Sequence, residues 1–231
     1  MQQRIAIIPA RGGSKRIPRK NLRDFCGKPI LLYSIEAALG SGCFDEIMVS
    51  TDDAEIAQLA RNAGASVPFL RSTENAGDYA TTADVLLEVL RHYQQLGQEF
   101  DLICCIYPTA PFVTSVKIAQ ALHLMEQESA DSLVTLTAYS YPPQRAVRIQ
   151  NGSVHWLHPE HEPTRSQDLE PIYHDCGQMY WLRNQTFQEH QNLLIGKTVP
   201  YLVSELEAQD IDTDVDWTLA ELKYRLFNAL L

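Results

Sequence analysis

The chain has 231 residues, of which 45% are hydrophobic and 21% are charged, and its formal net charge is −10. This composition is typical of a folded globular protein and excludes a mainly disordered chain. The acidic balance disfavours nucleic-acid partners, because proteins that hold the phosphate backbone normally display a basic face. Arg4 interrupts the apolar start, and no apolar run approaches the roughly 20 residues needed to span a membrane. We therefore expect a cytoplasmic protein with no membrane partner.

The five cysteines are odd in number, and Cys104 and Cys105 are adjacent within an apolar run. This arrangement is not typical of a disulfide framework. We predict reduced thiols, most of them buried.

Short apolar runs alternate with segments of helical periodicity over the first 137 residues. The runs predict buried strands at residues 4–9, 46–50, 102–107 and 132–137. The segments between them predict helices at 30–39, 54–63, 82–96 and 116–127. Strands that alternate with helices in this way predict an α/β fold, with three layers built around a mostly parallel sheet.

The alternation stops after residue 137, where Tyr141-Pro142-Pro143 breaks the chain. Further prolines and a short strand signal at 151–156 predict an inserted arm at about residues 139–175. Its aromatic residues suit either a subunit interface or local packing, and we expect a homodimer. The sheet is predicted to resume at 179–182 and 199–203, and a helix at 217–230 is predicted to close a single domain over residues 1–231.

The loop after the first predicted strand carries the strongest charge signal. Residues 11–23 contain six basic residues and no acidic one. Ligands of open α/β sheets bind beyond the carboxyl ends of the strands, which is where this loop begins. Gly12, Gly13 and Ser14 would let backbone N–H groups approach an anion, and the cations would balance its charge. The loop lacks the Walker and dinucleotide-binding patterns, but it predicts a polyphosphate site.

Residues 10–21 read Ala-Arg-Gly-Gly-Ser-Lys-Arg-Ile-Pro-Arg-Lys-Asn. This segment resembles the signature of the acylneuraminate cytidylyltransferases, which activate nine-carbon acidic sugars with CTP. The resemblance implies a Rossmann-like nucleotidyltransferase fold in which Arg11 and Lys20 stabilise charge on the phosphates. It also implies a nucleotide site made of Ala10, Arg11, Gly12, Gly13, Ser14, Lys20, Asn21, Arg71, Ala80 and Thr82. Taken alone, residues 78–82 would equally predict a helix start capped by Thr81 or Thr82.

Four carboxylates alternate along Asp210-Ile211-Asp212-Thr213-Asp214-Val215-Asp216. In an extended segment, side chains two residues apart face the same way and can share a hard cation such as Mg²⁺. Asp214 and Asp216 could instead cap the closing helix. The family resemblance implies that Asp210 and Asp212 are the metal pair and that Asp212 is catalytic.

Two segments resemble the family's sugar-binding side but depart from the sialic-acid pattern. Tyr107-Pro108-Thr109-Ala110-Pro111 is one, and the segment 173–181 is the other. The second resembles the branch that activates pseudaminic acid, so the resemblance implies that sugar. The implied sugar-binding residues are Tyr107, Arg165, His174, Asp175 and Gln178.

Several alternatives stay open. His155, His158 and His161 suggest zinc, but the neighbouring prolines favour solvated loop histidines. His174 and Asp175 could be an oriented acid/base pair or a simple polar contact. Sialic, legionaminic or eight-carbon acid (KDO) substrates, and a nucleotide-binding module without catalysis, are the alternative functions.

Overall fold

A computed structural model of the chain describes residues 2–229 and contains six helices and ten strands within that range. The helices are α1 (Ile30–Ser41), α2 (Ala54–Asn62), α3 (Thr82–Gln95), α4 (Ser115–Gln127), α5 (Asn184–His190) and α6 (Asp214–Ala229). The strands are β1 (Arg4–Pro9), β2 (Asp24–Phe25), β3 (Lys28–Pro29), β4 (Glu46–Ser50), β5 (Leu102–Ile106), β6 (Ser132–Ala138), β7 (Val147–Gln150), β8 (Ser153–Trp156), β9 (Tyr173–Arg183) and β10 (Thr198–Leu202).

Six of these strands form the central sheet, in the order β10-β6-β9-β5-β1-β4. Strand β1 pairs in parallel with β4 and β5, and β6 pairs in parallel with β10. Strand β9 runs antiparallel between β5 and β6. The prediction of a mostly parallel α/β sheet is therefore confirmed.

The sheet is covered on both faces, which is why its central strands are continuously apolar. Ala6 and Ile8 of β1 pack into the core beneath α1, α2 and α4, whereas Ile5 and Ile7 pack into the opposite core beneath α3. Neighbouring residues of a strand point to opposite faces, so each must be apolar when both faces are buried. A third apolar cluster joins α6, through Trp217, to Phe25 and to Tyr33 of α1.

The four strands predicted up to residue 137 correspond to β1, β4, β5 and β6, and the four predicted helices correspond to α1 to α4, each to within a few residues. The short strands β2 and β3 were not predicted. The strand predicted at 179–182 was too short, because β9 begins at Tyr173, where it pairs with the end of β6. The closing helix begins at Asp214 rather than at residue 217, and the predicted final turn at Leu230 lies outside the described residues.

The inserted arm follows β6 and ends where β9 begins. It contains the hairpin of β7 and β8 together with short 3₁₀ turns. The strand signal at 151–156 corresponds to β8, whereas β7 was not predicted. The arm therefore occupies residues 139–172, so His174 and Asp175 belong to the central sheet and not to the arm.

The parallel strands all end at one edge of the sheet, which we call the carboxyl edge. Strand β9 runs in the opposite direction, so its first residues lie at this same edge beside the end of β6. Among the described helices, none is long and apolar enough to cross a membrane. All three groups of predicted site residues, from the basic loop, the start of β9 and the acidic segment, lie near the carboxyl edge.

Candidate active site

The basic loop leaves β1 and turns back at a strained residue. Arg19 has a φ of 54°, in the left-handed region that costs a non-glycine residue roughly 1 kcal/mol, and it leads into a short 3₁₀ turn over Lys20–Leu22. Its guanidinium is held by Asp53 and Glu55 at the start of α2, with the Glu55 contact at 2.5 Å. These ion pairs stabilise the turn that directs Lys20 inward.

The loop encloses a cavity of about 340 Å³, which we call the basic cavity. Its lining is Pro9, Arg11, Ser14, Lys15, Arg16, Lys20, Asn21, Asp78, Pro108 and Thr109. Four of these residues were predicted to bind nucleotide: Arg11, Ser14, Lys20 and Asn21. Asp78 bridges two of the cations, with Oδ1 3.2 Å from Arg11 Nη1 and Oδ2 2.5 Å from Lys15 Nζ. The cavity is strongly cationic and open to an anionic ligand that competes with Asp78.

Lys20 and Asp212 meet at the margin of the basic cavity although 191 residues separate them in sequence. Lys20 Nζ donates a hydrogen bond to the backbone oxygen of Ile211 at 2.6 Å and lies 3.8 Å from Asp212 Oδ1. Arg16 Nη2 lies 2.7 Å from the same carboxylate oxygen. Burial lowers the pKa of Lys20, although Asp212 and Asp210 act in the opposite direction. The basic loop and the acidic segment therefore form one site.

Only part of the acidic segment faces this site. Burial, and then the negative charge of Asp212, raise the pKa of Asp210, so these two carboxylates lie close enough to repel each other. Asp214 instead pairs with Arg23 at 2.5 Å. Asp216 accepts a hydrogen bond from the backbone N–H of Thr213 at 2.7 Å, and Thr213 Oγ1 accepts one from the backbone N–H of Asp216 at 3.3 Å, so these two residues cap the start of α6. The four alternating acids thus divide into a site pair and a pair in the first turn of α6, because the helix begins at Asp214.

A second cavity, of about 330 Å³, opens at the start of β9, and we call it the acidic cavity. Three carboxylates line it, namely those of Asp175, Glu205 and Asp210, together with His174 and Lys223. Asp210 lines the acidic cavity, and Asp212, two residues later, contacts Lys20 at the margin of the basic cavity. The acidic segment therefore runs between the two cavities. Another cavity, of about 250 Å³, lies at the opposite edge of the sheet, and none of the predicted site residues lines it.

A bulge in β9 orients Asp175 in the acidic cavity. The register between β6 and β9 shifts here, and Gly177 adopts a φ of +60°. The backbone N–H of Gly177 donates to Asp175 Oδ1 at 2.8 Å, and the Tyr180 hydroxyl donates to Oδ2 at 2.7 Å. A side chain at position 177 would be strained at this φ and would contact the ring of Tyr107.

His174 and Asp175 do not form the oriented acid/base pair that was one of the open alternatives. His174 Nδ1 lies 2.9 Å from the backbone oxygen of Asp175, and not from its carboxylate. A carbonyl oxygen only accepts, so Nδ1 carries the proton and Nε2 is an acceptor in the neutral ring. The adjacent Cys176 is buried, and burial raises the pKa of its thiol to about 12, so it is a packing residue and not a nucleophile.

The remaining predicted nucleotide residues lie behind the basic cavity. Arg71 is buried and donates from Nη2 to the backbone oxygen of Ser50 at 2.5 Å. Thr82, at the start of α3, hydrogen-bonds the hydroxyl of Tyr107 at 2.8 Å, and Ala80 immediately precedes the capping residue Thr81. Tyr107, which was predicted to bind the sugar, therefore contacts a residue that was predicted to bind the nucleotide. It lines neither cavity.

The glycine-rich start of the loop is arranged differently from the prediction. The N–H of Gly12 donates to Asp52 Oδ1 at 2.8 Å, and the N–H of Ser14 donates to the oxygen of Gly12 at 3.0 Å. Ala10 donates to Ser50 at 2.9 Å. These three amides are hydrogen-bonded within the protein, so the positive charge that lines the cavity comes from side chains.

Two further predicted sugar-binding residues, like Tyr107, are not brought to either cavity. Arg165 lies in the arm, where its Nε donates to Asp168 Oδ2 at 2.7 Å and its side chain is 73% exposed. Gln178 is buried, and its amide donates to the backbone oxygen of Glu207 at 2.5 Å. Gln178 thus positions the segment beneath the acidic cavity.

Sequence reasoning missed several residues that the fold brings to the site. Lys15, Arg16 and Asp78 belong to segments that the sequence analysis singled out, but none of the three was predicted as a site residue. Tyr180 and Lys223 carried no local signal, because their partners lie on other elements. The three histidines of the arm form no metal cluster, and within residues 2–229 no group of three or more His, Cys, Asp or Glu side chains could hold a metal ion.

Known proteins resemble this chain in sequence. The family model described as cytidylyltransferase matches residues 5–214. A pseudaminic acid cytidylyltransferase from Campylobacter jejuni subsp. jejuni serotype O:2 is 39% identical over 223 residues, covering 96% of both chains. A CMP-N,N'-diacetyllegionaminic acid synthase from Legionella pneumophila subsp. pneumophila is 36% identical over 226 residues, covering 94% of both.

The fold also resembles solved structures. The structure of a CMP:2-keto-3-deoxy-manno-octonic acid synthetase complexed with CTP superposes with a TM-score of 0.71 at 18% identity, covering 98% of this chain and 99% of that one. At this level of identity the match establishes the shared fold.

Proposed function

This chain belongs to the cytidylyltransferase family, and on that premise we propose that it transfers CMP from CTP to the anomeric hydroxyl of pseudaminic acid, releasing pyrophosphate. The observation that carries the proposal is the meeting of Lys20 with the Asp212 segment between two cavities of opposite charge. The 39% identity to a pseudaminic acid cytidylyltransferase over almost the whole chain supports the choice of sugar.

The basic cavity supplies the charge that a triphosphate requires. Four cationic side chains line it against one carboxylate, that of Asp78. A cation about 4 Å from a phosphate oxygen contributes roughly 4 kcal/mol at an effective dielectric constant near 20, before desolvation is subtracted. The phosphates of CTP would take over the contacts that Asp78 makes with Arg11 and Lys15. Lys20, at the margin nearest Asp212, is then placed to stabilise charge on the phosphate that reacts.

The reaction needs no covalent enzyme intermediate. The anomeric hydroxyl releases its proton to water as its oxygen forms a bond to the α-phosphorus, the bond between that phosphorus and the α,β-bridging oxygen breaks, and pyrophosphate leaves with the electron pair. Catalysis of this kind depends on positioning and on electrostatic stabilisation. In this proposal the nucleotide would occupy the basic cavity and the sugar the acidic cavity, on either side of the reacting phosphate.

Asp210 and Asp212 are the residues that we propose hold Mg²⁺. Two neighbouring carboxylates are the hard oxygen donors that Mg²⁺ prefers, and the raised pKa of Asp210 reflects burial and a repulsion that a cation would relieve. Mg²⁺ is normally held by one or two carboxylates, with substrate phosphates and water completing its coordination, so this pair fits the ion. Bound there, Mg²⁺ would neutralise charge on the phosphate oxygens.

The acidic cavity suits a sugar with several hydrogen-bond donors. Its carboxylates can accept hydrogen bonds from hydroxyl and acylamino groups. This end of the site differs in sequence from the sialic-acid pattern, which is why we favour pseudaminic acid. Legionaminic acid is the second candidate, supported by the 36% identity to a synthase for its CMP derivative.

The test is a substrate panel. The purified protein is incubated with CTP, UTP or GTP and with pseudaminic, legionaminic, sialic or KDO substrate, and pyrophosphate release is measured with and without Mg²⁺. We expect the highest kcat/KM with CTP and pseudaminic acid, and activity only with the metal. Preferred turnover of another acid would reassign the sugar, and CTP binding without any pyrophosphate release would indicate a binding module.

A further inference from the structure

The acidic cavity contains a lysine that forms no ion pair with a carboxylate within residues 2–229. The sequence has six lysines, and five of them form ion pairs with a carboxylate: Lys15 with Asp78, Lys20 with Asp212, Lys28 with Glu36, Lys117 with Glu207 and Lys197 with Glu128. Within residues 2–229, Lys223 is the exception. It is also the lysine that lines the acidic cavity.

The ammonium group of Lys223 is held in place by backbone oxygens. Nζ donates to Ala208 at 2.8 Å and to Glu205 at 3.0 Å. An ammonium has three N–H donors, so these two contacts leave one donor and the full positive charge. The contacts also fix a flexible side chain before any ligand arrives, which lowers the entropy lost on binding.

The other charges around this cavity favour such a cation for an acidic ligand. Asp175 and Glu205 line the cavity and lie outside the proposed metal pair, so a ligand carboxylate placed beside them would be repelled. Lys223 is the one Lys or Arg among the described residues that line the cavity.

We propose that Lys223 is a specificity-determining residue, whose ammonium group binds the carboxylate of the acidic sugar in the acidic cavity. This inference rests on the proposed function, since it assumes that the substrate is a sugar acid. It also explains how the site can select an anion although Arg165, the cation that the sequence suggested, lies in the arm paired with Asp168.

The test combines variants of the protein with variants of the substrate. Lys223→Met keeps an unbranched stem and removes the charge, and the ligands are the sugar acid and its neutral 1-carboxamide. We expect Lys223→Met to raise the KM for the acid roughly 10- to 100-fold, the range for one hydrogen bond to a charged group. We expect the wild type to bind the carboxamide more weakly than the acid by a similar factor, and Lys223→Met to discriminate little between the two ligands.

The matched control is Lys197→Met. Lys197 also donates to a backbone oxygen, that of Glu128, but it lies at the opposite edge of the sheet. We expect the KM values of the Lys197→Met variant to equal those of the wild type. The dissociation constant for CTP and the melting temperature are measured for every variant, so that a folding defect is recognised. Lys223→Gln, which retains an amide donor for the backbone contacts, replaces Lys223→Met if the latter does not fold.

An unchanged KM for the acid in the uncharged variant would overturn the inference. An equal loss for acid and carboxamide would also overturn it, because Lys223 would then serve only to hold the turn at Glu205. If the wild type itself turns over no sugar acid, the proposed function fails, and that result is distinct from both of the others.

Discussion

Lys20 Nζ approaches the Ile211 backbone oxygen to 2.6 Å and Asp212 Oδ1 to 3.8 Å, and these contacts define the chemistry of the site. The charge pattern of each segment indicates its role separately: cations for phosphate and paired carboxylates for a divalent ion. Their proximity creates a place where a phosphate, a cation and a carboxylate can be held together. Both residues can therefore be tested by single substitutions.

Asp212→Ala should reduce kcat at least 100-fold, because removing one group that stabilises charge in the transition state typically costs about 100- to 1,000-fold in kcat. The side chain is partly exposed and pairs only with cations, so we expect the melting temperature and the circular dichroism spectrum to be retained. Asp214→Ala is the matched control, because Asp214 belongs to the same acidic run but pairs with Arg23 away from the cavities. Near-normal pyrophosphate release by Asp212→Ala would remove this residue from the mechanism.

Lys20→Met should weaken CTP binding roughly 10- to 100-fold, because it removes a charged hydrogen-bond donor from the basic cavity. Isothermal titration calorimetry measures the dissociation constant directly. Lys28→Met is the control, since Lys28 lies over the ring of Tyr33 and pairs with Glu36 outside the cavity. If both variants bind CTP as tightly as the wild type, Lys20 is not a phosphate contact.

At the scale of elements, the start of α3 combines a structural role with a place beside the predicted base pocket. Thr81 and Asp84 form a reciprocal capping box, in which the Thr81 N–H donates to Asp84 Oδ2 at 2.9 Å. Thr82 follows within the helix and contacts Tyr107. The sequence left capping and binding open as alternatives for this segment, and in the fold Thr81 takes the first role while Thr82 is free to take the second.

Asp84→Asn should destabilise the protein by about 1 kcal/mol at pH 7, the usual cost of a lost helix cap. Hydrogen bonds from Thr81 lower the pKa of Asp84 in the folded state. The stabilisation is therefore fully present above the unfolded pKa, near 3.9, and is lost as the pH falls through the folded pKa. Urea denaturation should show a larger difference in stability between wild type and variant at pH 7 than near pH 3, because the carboxylate is protonated as the pH falls. The same difference at both pH values would contradict the capping role.

At the scale of the whole molecule, the arm exposes more apolar surface than a two-stranded hairpin can bury alone. Ile149 is 79% exposed and Val154 is 66% exposed. Isolated two-stranded sheets are marginally stable, so we expect a second copy of the chain to cover this hairpin. The homodimer predicted from the sequence remains a prediction, and the exposed hairpin supports it.

Ile149→Asp together with Val154→Asp should convert the dimer to a monomer, because each substitution places an unpaired charge in the apolar contact. Light scattering coupled to gel filtration measures the mass. Arg148→Asp with His155→Asp, on paired positions of the same hairpin, is the control for added charge in the arm. A monomeric wild type, or a variant dimer of unchanged mass, would exclude the hairpin as the interface.

The sequence by itself determined the order of strands and helices, because burial on both faces requires continuous apolar runs such as Ala6 to Ile8. It also determined the charge of the loop after β1 through a local pattern, whereas the assignment of Asp210 and Asp212 to a metal ion remains a prediction from family resemblance. Tertiary structure decided the antiparallel course of β9 and the bulge at Gly177, because register depends on neighbouring strands. It likewise decided the placement of Lys223 in the acidic cavity and the pairing of Arg165 with Asp168 in the arm, because a side chain's position relative to other elements leaves no trace in local spacing.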